Sequence, residues 1–454
     1  EQFQLLRLRF VRDHAIVCGI GRKGAYLVTD FRAGGMPVVA IDNNANNELL
    51  QTCRQAGAIV LVGDASDKLM LRRARTARAR YFIAVEGSDS TNVETAVNAF
   101  ELVQEAAPTT RRLNCYVHIV DLKLCELFKG HRLFAEAHDP FEPHVFNVYE
   151  NTARQFFAEH PLDRAPLSPT GPSHVNLVVI GFGKMGESMV IQTAKVGHYV
   201  TGEPVRILII DKQAEARQKP FRGRYPQIDH VCSIEFVQGE FEEPEALERI
   251  RQLAADPNGL TTVVVCLDND AACLHAAMSL SHRLAGATVP LYVRMSQTEG
   301  IGSLLESVNR PSNGGPPTEA FGMMSAVSTR KVLLKDELDM LARAIHEDFV
   351  KKRSADNRPT TDPSMAPWEN LDPGFKDSNR QQADHIAVKL RAIGCTAGPK
   401  GRGGKVCTEF TGEEVECLAR MEHDRWNAER FLAGWRLGPS DKRNRISPYL
   451  VPWS

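Results

Sequence analysis

Short apolar runs alternate with amphipathic stretches twice along the chain, each time in the order of a strand leading into a helix. In the first passage, apolar runs at 15–18, 37–41, 58–62, 81–85 and 114–120 predict strands, and the stretches at 23–33, 48–56, 68–74 and 92–106 predict helices. Strands that alternate with helices imply a parallel sheet covered on both faces, joined by right-handed crossovers. Beyond position 121 the rhythm fades: 122–128 and 145–159 read as helices, and Pro161, Pro166, Pro169 and Pro172 mark a linker. It then resumes, with strands at 175–180, 205–210, 233–237, 261–267 and 289–294 and helices at 184–195, 244–255 and 270–284. This second passage ends near a Gly/Pro/Asn-rich loop at 309–317 and a helix at 321–334. From 335 onward the chain is polar, helical in pattern and carries all four tryptophans, Trp368, Trp426, Trp435 and Trp453. The expected fold is α/β: two doubly wound parallel sheets followed by a mainly α-helical C-terminal domain.

Each passage opens on the same glycine pattern. Gly19-Ile20-Gly21-Arg22-Lys23-Gly24 follows the first strand and Gly181-Phe182-Gly183-Lys184-Met185-Gly186 follows its counterpart. Such a turn seats a pyrophosphate on backbone amides at a helix N-terminus: the first glycine turns, the second lets phosphate approach, the third packs helix on strand. An acid closes the next strand in both copies, Asp42 and Asp211, where a carboxylate meets ribose hydroxyls and repels a 2′-phosphate. The Rossmann-like pattern therefore favours NAD(H) or an adenine nucleotide over NADP. The other reading of the second copy is that it keeps the fold and has lost its ligand. Asp64, in Gly63-Asp64-Ala65-Ser66, is either a ligand contact or the N-cap of the helix from Lys68, and capping is the more economical role. Asp268-Asn269-Asp270 suggests calcium or a helix-capping turn, and the turn explains it more simply.

Composition narrows the field. The 454 residues are 43% hydrophobic and 24% charged with a net charge of -1, which argues against a broad basic nucleic-acid surface. Ten scattered cysteines without a Cys-x-x-Cys pair read as reduced thiols rather than zinc ligands or disulfides. No apolar stretch reaches the roughly 18 residues that span a bilayer, and no signal peptide is visible. Glu1 opens a short amphipathic run rather than an initiator methionine. Two readings stand side by side: a piece of a longer polypeptide whose remainder holds a membrane domain, or a trimmed tail.

Gly19-x-Gly21-x-x-Gly24, Asp42, Gly63-Asp64-Ala65, Glu86-Gly87-Ser88-Asp89 and Asn92 resemble the regulator-of-potassium-conductance (RCK, or Trk-type N-terminal) domain. The resemblance implies NAD(H) or adenine nucleotide (ATP, ADP or AMP) bound by Gly19, Ile20, Gly21, Arg22, Gly24, Asp42, Asn43, Asp64 and Ala65. In the second copy Gly181, Phe182, Gly183, Gly186 and Asp211 are the corresponding candidates, although Gly239-Glu240-Phe241 replaces the Gly-Asp-Ala triplet. It further implies gating of potassium flux, pairing as a homodimer or higher assembly, and a pore or transporter subunit as partner, in the same polypeptide or another. The protein would then work at the cytoplasmic face of a membrane. Trp368-Glu369-Asn370-Leu371, Met421-Glu422-His423-Asp424-Arg425-Trp426, Gly434-Trp435-Arg436-Leu437-Gly438 and Pro448-Tyr449-Leu450-Val451-Pro452-Trp453 resemble the ryanodine-receptor (RyR) repeat domain. The expected layout is an amphipathic linker (1–11), a first RCK-type domain (12–160), a linker (161–173), a second RCK-type domain (174–334) and an RyR-type domain (335–454). His385, His423 and Glu422 show no metal spacing, so packing and hydrogen bonding are their expected roles. Trp426 and Trp435 read as core anchors, with an aromatic ligand pocket as the alternative. A nicotinamide-dependent oxidoreductase is the alternative function. It requires a proton donor facing the nicotinamide, and no such constellation stands out, so no catalytic residue is assigned.

Overall fold

The computed structural model describes residues 8–106, 112–129, 140–168, 171–284, 286, 289–296, 317–322, 329–330, 333, 339–355, 362–398, 407–441 and 443–453, apart from the side chains of 122, 126 and 129. All but the last residue of the loop expected at 309–317 and most of the helix expected at 321–334 lie outside these residues. The chain divides into two compact units, residues 1–151 with 324–377 and residues 152–323 with 378–454, so the last quarter of the sequence is shared between them.

In the first unit, β1 (Ala15–Cys18), β2 (Val38–Asp42), β3 (Ile59–Val62), β4 (Tyr81–Ala84), β5 (Leu113–His118) and β6 (Phe141–Phe146) form one parallel sheet in the order β3-β2-β1-β4-β5-β6. Val17 stands level with Ala40 on one side and Ile83 on the other. The helices are α1 (Arg22–Ala33), α2 (Leu49–Gln55), α3 (Lys68–Arg73), α4 (Asp89–Glu105) and α5 (Leu122–Lys129), followed by α6 (Val148–Glu159) at the boundary. The two-residue period of a strand sends Ala15 and Val17 to a core with Leu27, Val28 and Phe31 of α1, and Ile16 and Cys18 to another with Leu71 and Ala96. Because both faces are covered, β1 and β4 are apolar almost throughout. Each fully buried Phe or Ile there contributes roughly 1.5–3 kcal/mol.

The second unit repeats the plan. β7 (His174–Ile180), β8 (Arg206–Asp211), β9 (Ser233–Gln238), β10 (Gly259–Val265), β11 (Leu291–Arg294) and β12 (Thr318–Phe321) pair in the order β12-β11-β10-β7-β8-β9, the first sheet's order read from its other end. Its helices are α7 (Lys184–Val196), α8 (Ala214–Arg224), α9 (Pro244–Ala255) and α10 (Asp270–Arg283). The sixth strands are additions: β6 overlaps by two residues the helix expected at 145–159, most of which is α6, and β12 ends at Phe321, where the helix expected at 321–334 begins.

Among the described residues three long helices follow, α11 (Met340–Ala355), α12 (Pro373–Ala392) and α13 (Gly412–Leu432), with a short strand pair β13 (Arg436–Leu437) and β14 (Ile446–Ser447). Within the second unit, Asp384 of α12 accepts from Arg154 Nε at 2.8 Å and Nη2 at 2.9 Å and from Gln192 at 3.0 Å. Arg391 grips Asp163 through two nitrogens at 2.9 and 2.7 Å. His385 Nε2 meets the carbonyl of His198 at 2.8 Å.

Several histidines are buried neutral. Burial lowers His14 to about 4, His118 to about 3 and His198 to about 4. All three titrate lower folded than unfolded, so the stability they lend is full above the ordinary value of about 6.5 and is lost as pH falls through the folded values. The thermal midpoint should therefore hold steady down to about pH 6.5 and drop toward pH 4, a course that an unfolding series in matched buffers follows; a flat profile would contradict neutral burial.

Candidate functional site

Both glycine turns lie where strand order reverses, between β1 and β4 in one sheet and between β7 and β10 in the other. In such sheets this is where ligands bind, beyond the C-terminal strand ends. Gly19 leaves β1 with φ of +89°, and a Cβ there would lie 2.7 Å from Glu86 Cα. Gly24 lets α1 pack against the turn, since a Cβ would lie 2.0 Å from the Gly19 carbonyl oxygen. Gly21 caps α1 in extended backbone (φ -74°, ψ -172°), and no described atom comes within 4 Å of the place its Cβ would take. The space beside Gly21 at the helix N-terminus is thus open, an arrangement suited to an anion.

Asp42 organises this turn. Its Oδ2 accepts the Ile20 N–H at 2.7 Å and its Oδ1 the Asn44 N–H at 2.9 Å, while Asn47 donates to the Ile20 carbonyl at 2.8 Å. A carboxylate offers about four acceptor positions, so some remain for hydroxyl groups. Ile20 is fully buried; Arg22 and Asn43 are exposed at the rim. Asn92 fixes the facing strand end, accepting from Glu86 N–H at 2.7 Å and donating to the carbonyls of Glu86 and His118 at 3.2 and 3.0 Å. Glu86 was not singled out as a contact in the sequence. Burial raises its pKa against the Thr95 hydroxyl that donates to it, and the charges of Asp64, Asp42 and Glu94 raise it further.

Asp64 is exposed after β3 and accepts from the Ser66 N–H and hydroxyl at 2.8 Å each; Ala65 is buried beside it. The cap of α3 is Asp67, which accepts the Leu69 N–H at 2.9 Å, so the capping role expected of Asp64 is corrected: it closes a local Asx turn instead.

The second turn has the same frame. Gly181 has φ of +91°, and a Cβ on Gly186 would lie 2.1 Å from the Gly181 carbonyl oxygen. Asp211 Oδ2 accepts the Phe182 N–H at 2.7 Å and its Oδ1 accepts the Gln213 N–H at 2.7 Å. The surroundings differ. Arg217 of α8 donates to Asp211 at 3.3 Å, and a Cβ on Gly183 would lie 3.7 Å from that guanidinium nitrogen and 3.5 Å from Asp268 Oδ1. Phe182 is buried edge-on against Phe221 and Phe236. No linear signal marks Arg217 as a neighbour of the acid.

The remaining candidates are engaged elsewhere. Asn269 caps α10 by accepting the Ala272 N–H at 2.8 Å, and Asp270 receives the Ser296 hydroxyl at 2.8 and 2.7 Å. Glu422 pairs with Arg425, and His423 meets the Val451 carbonyl at 2.7 Å. Trp426 and Trp435 are half-buried rather than core anchors, and the guanidinium of Arg430 lies 5.4 and 5.3 Å from their ring centroids. Among the described residues no cluster of three or more His, Cys, Asp or Glu is placed to hold a metal, and no helix is long and apolar enough to cross a membrane.

Residues 15–128, which contain the whole first turn, match the family model of the TrkA-N domain. Potassium channel protein 1 of Methanocaldococcus jannaschii is 32% identical over 98 residues, covering 21% of this chain and 29% of that protein. Probable potassium channel protein 2 of the same organism is 31% identical over 99 residues, covering 21% and 28%. The match thus spans less than a third of these relatives' own length. Among solved structures, GsuK bound to ADP is 16% identical, covers 72% of this chain and 71% of its own, and superposes with a TM-score of 0.48. The GsuK channel bound to NAD is 14% identical over 70% and 62%, with a TM-score of 0.47.

Proposed function

We propose that this chain is a regulatory module whose output is nucleotide occupancy of the first glycine turn, acting on potassium ion flux. One observation carries the reading: Gly21 faces open space at a helix N-terminus whose neighbouring carboxylate, Asp42, is already oriented by the Ile20 amide. The TrkA-N match covers this turn, and two relatives that match this chain over 98 and 99 residues bear the name of potassium channel proteins.

The ligand is NAD(H) or an adenine nucleotide, with the diphosphate on the turn amides, the ribose on Asp42 and Asn43, and Asp64 and Ala65 at the third strand. The two sheets are tandem RCK-type domains and residues 335–454 an RyR-type domain. Assembly is as a homodimer or larger ring at the cytoplasmic face of a membrane, coupled to a pore or transporter subunit. In the second site Arg217 already donates to Asp211, so part of that carboxylate is engaged; the first turn is taken as the primary sensor. A nucleotide shifts a gate only through different affinity for its two states, which makes occupancy without turnover sufficient.

Calorimetric titration of the full chain with NAD, NADH, ATP, ADP and AMP tests the assignment, with Asp42→Ala as the control. Loss of the ribose contacts should weaken the preferred nucleotide about 10- to 100-fold. Unchanged affinities for every ligand would remove Asp42 from the site.

A further inference from the structure

At the end of the first sheet away from its glycine turn, a cavity of about 450 Å³ opens between the turn that joins α3 to β4 and the C-terminal end of α4. Its size is within the range of small-molecule sites. Arg72, Arg75 and Arg78 line one side, and Leu102 and Glu105 the other. This turn runs into the first residue of β4, whereas the glycine turn follows the last residue of β1.

The turn is firmly held. Thr76, 1% exposed, donates its hydroxyl to the Leu71 carbonyl at 2.8 Å, His14 Nε2 donates to the Ala74 carbonyl at 2.9 Å, and the Asp13 N–H donates to the Arg78 carbonyl at 3.0 Å. Between these anchors Arg75 takes the left-handed conformation, with φ of +61° and ψ of +43°. Glycine fits that backbone with less strain, so what arginine adds there is its guanidinium. That group donates to the Arg9 carbonyl. Burial lowers its pKa, and the charges of Arg78 and Arg9 lower it further. Arg72 has Glu105 at 2.7 Å, but among the described residues no carboxylate stands within ion-pair distance of Arg75 or Arg78. Three guanidinium groups thus meet at one cavity against a single carboxylate, an arrangement that a bound anion stabilises.

We propose that this cavity is an anion site, independent of the glycine turns, that takes a phosphate group of two or more charges, carried by a soluble phosphate compound or by the headgroup of an anionic phospholipid. Arg75 and Arg78 offer forked donors to the phosphate oxygens, and Arg72 is shared between the ligand and Glu105.

Inorganic tripolyphosphate and phosphatidylcholine vesicles with and without phosphatidic acid are the probes, read by calorimetry and by vesicle co-sedimentation. They are given to the full chain carrying Gly21→Ala, which takes the first glycine turn out of play. Binding of tripolyphosphate identifies a soluble ligand, and retention on the vesicles only when they carry phosphatidic acid identifies a headgroup. Either supports the site if Arg75→Gly weakens it at least about tenfold and Arg78→Gln does likewise. Arg75→Gly should stay folded, because glycine suits the left-handed backbone. Arg73→Gln is the charge-matched control: Arg73 is exposed on the same helix but does not line the cavity, so its loss should change affinity less than about threefold. With Gly21 intact, Arg75→Gly should leave ADP binding as in the wild type, which separates this site's failure from failure of the nucleotide reading. No binding of either probe, binding indifferent to Arg75→Gly, or an equal loss from Arg73→Gln would each overturn the proposal.

Discussion

Gly21→Ala is expected to abolish measurable nucleotide binding while leaving the protein as stable as before. Gly21 sits in extended backbone that any residue adopts, with no described atom within 4 Å of the added methyl, so the fold should shift by no more than about 0.5 kcal/mol. The methyl would instead stand where a diphosphate must approach the amides, costing at least about 100-fold in affinity, or ~3 kcal/mol. Gly24→Ala provides the contrast. Its methyl would lie 2.0 Å from a backbone oxygen that no rotamer change can move, so binding and stability should fall together. Gly186→Ala imposes the equivalent clash, at 2.1 Å, on the other turn. Calorimetry with differential scanning fluorimetry reads both properties. If Gly21→Ala binds like the wild type, the first turn is not the site.

Arg425→Met should cost about 3–5 kcal/mol, the largest loss of stability expected from a single side chain here. Arg425 is 1% exposed and donates to Glu422 at 2.9 Å and to Glu429 at 2.8 Å. Burial by itself would raise the Glu422 pKa, but the hydrogen bonds and charges of Arg425 and Lys389 outweigh it and hold the carboxyl at about 2. Removing the guanidinium leaves Glu422 to Lys389 and Gln382 and Glu429 to the Ser378 hydroxyl, in surroundings shaped for a further cation. Replacing Glu429 by leucine in the same chain should restore part of the loss, since Glu422 keeps Lys389 and no second carboxylate is left facing the lost guanidinium. The sign with pH follows from the depressed value: Glu422 contributes fully above the ordinary carboxylate range near about 4.3, and its contribution is lost as pH falls toward about 2. In Arg425→Met that acid dependence should shrink. Denaturant titration at two pH values measures both effects, and a loss below about 1 kcal/mol would mean the cluster is solvated.

The elements that read clearly in the sequence are those buried on both sides. β1, β2, β7 and β8 are apolar runs because helices cover both their faces, and the glycine turns between strand and helix carry their own steric signature. Of the edge strands, β6 and β12 read poorly. β6 contains Pro143 and alternates buried with half-buried residues, and β12 has only four residues with Glu319 outward, so neither offers an unbroken apolar run. Helix α8 escaped notice because Pro220 interrupts it and only Ala214 and Phe221 are buried. At the sites, Asp42 and Asp211 were legible from their distance to the glycines. Arg217 was not, because its approach to Asp211 depends on how α8 is placed, and neither was the pairing of Arg425, whose partners three and four residues away share a face only once the helix forms.

Every tryptophan of the chain stands at position 368 or beyond, and Arg430 lies against the faces of two of them. Indole emission responds to a cation at the ring face, so Trp426 and Trp435 report on the guanidinium of Arg430. ADP, which does not absorb where indoles emit, then gives a dye-free assay: a spectral shift on its addition would time the passage of the signal from nucleotide to the far end of the polypeptide.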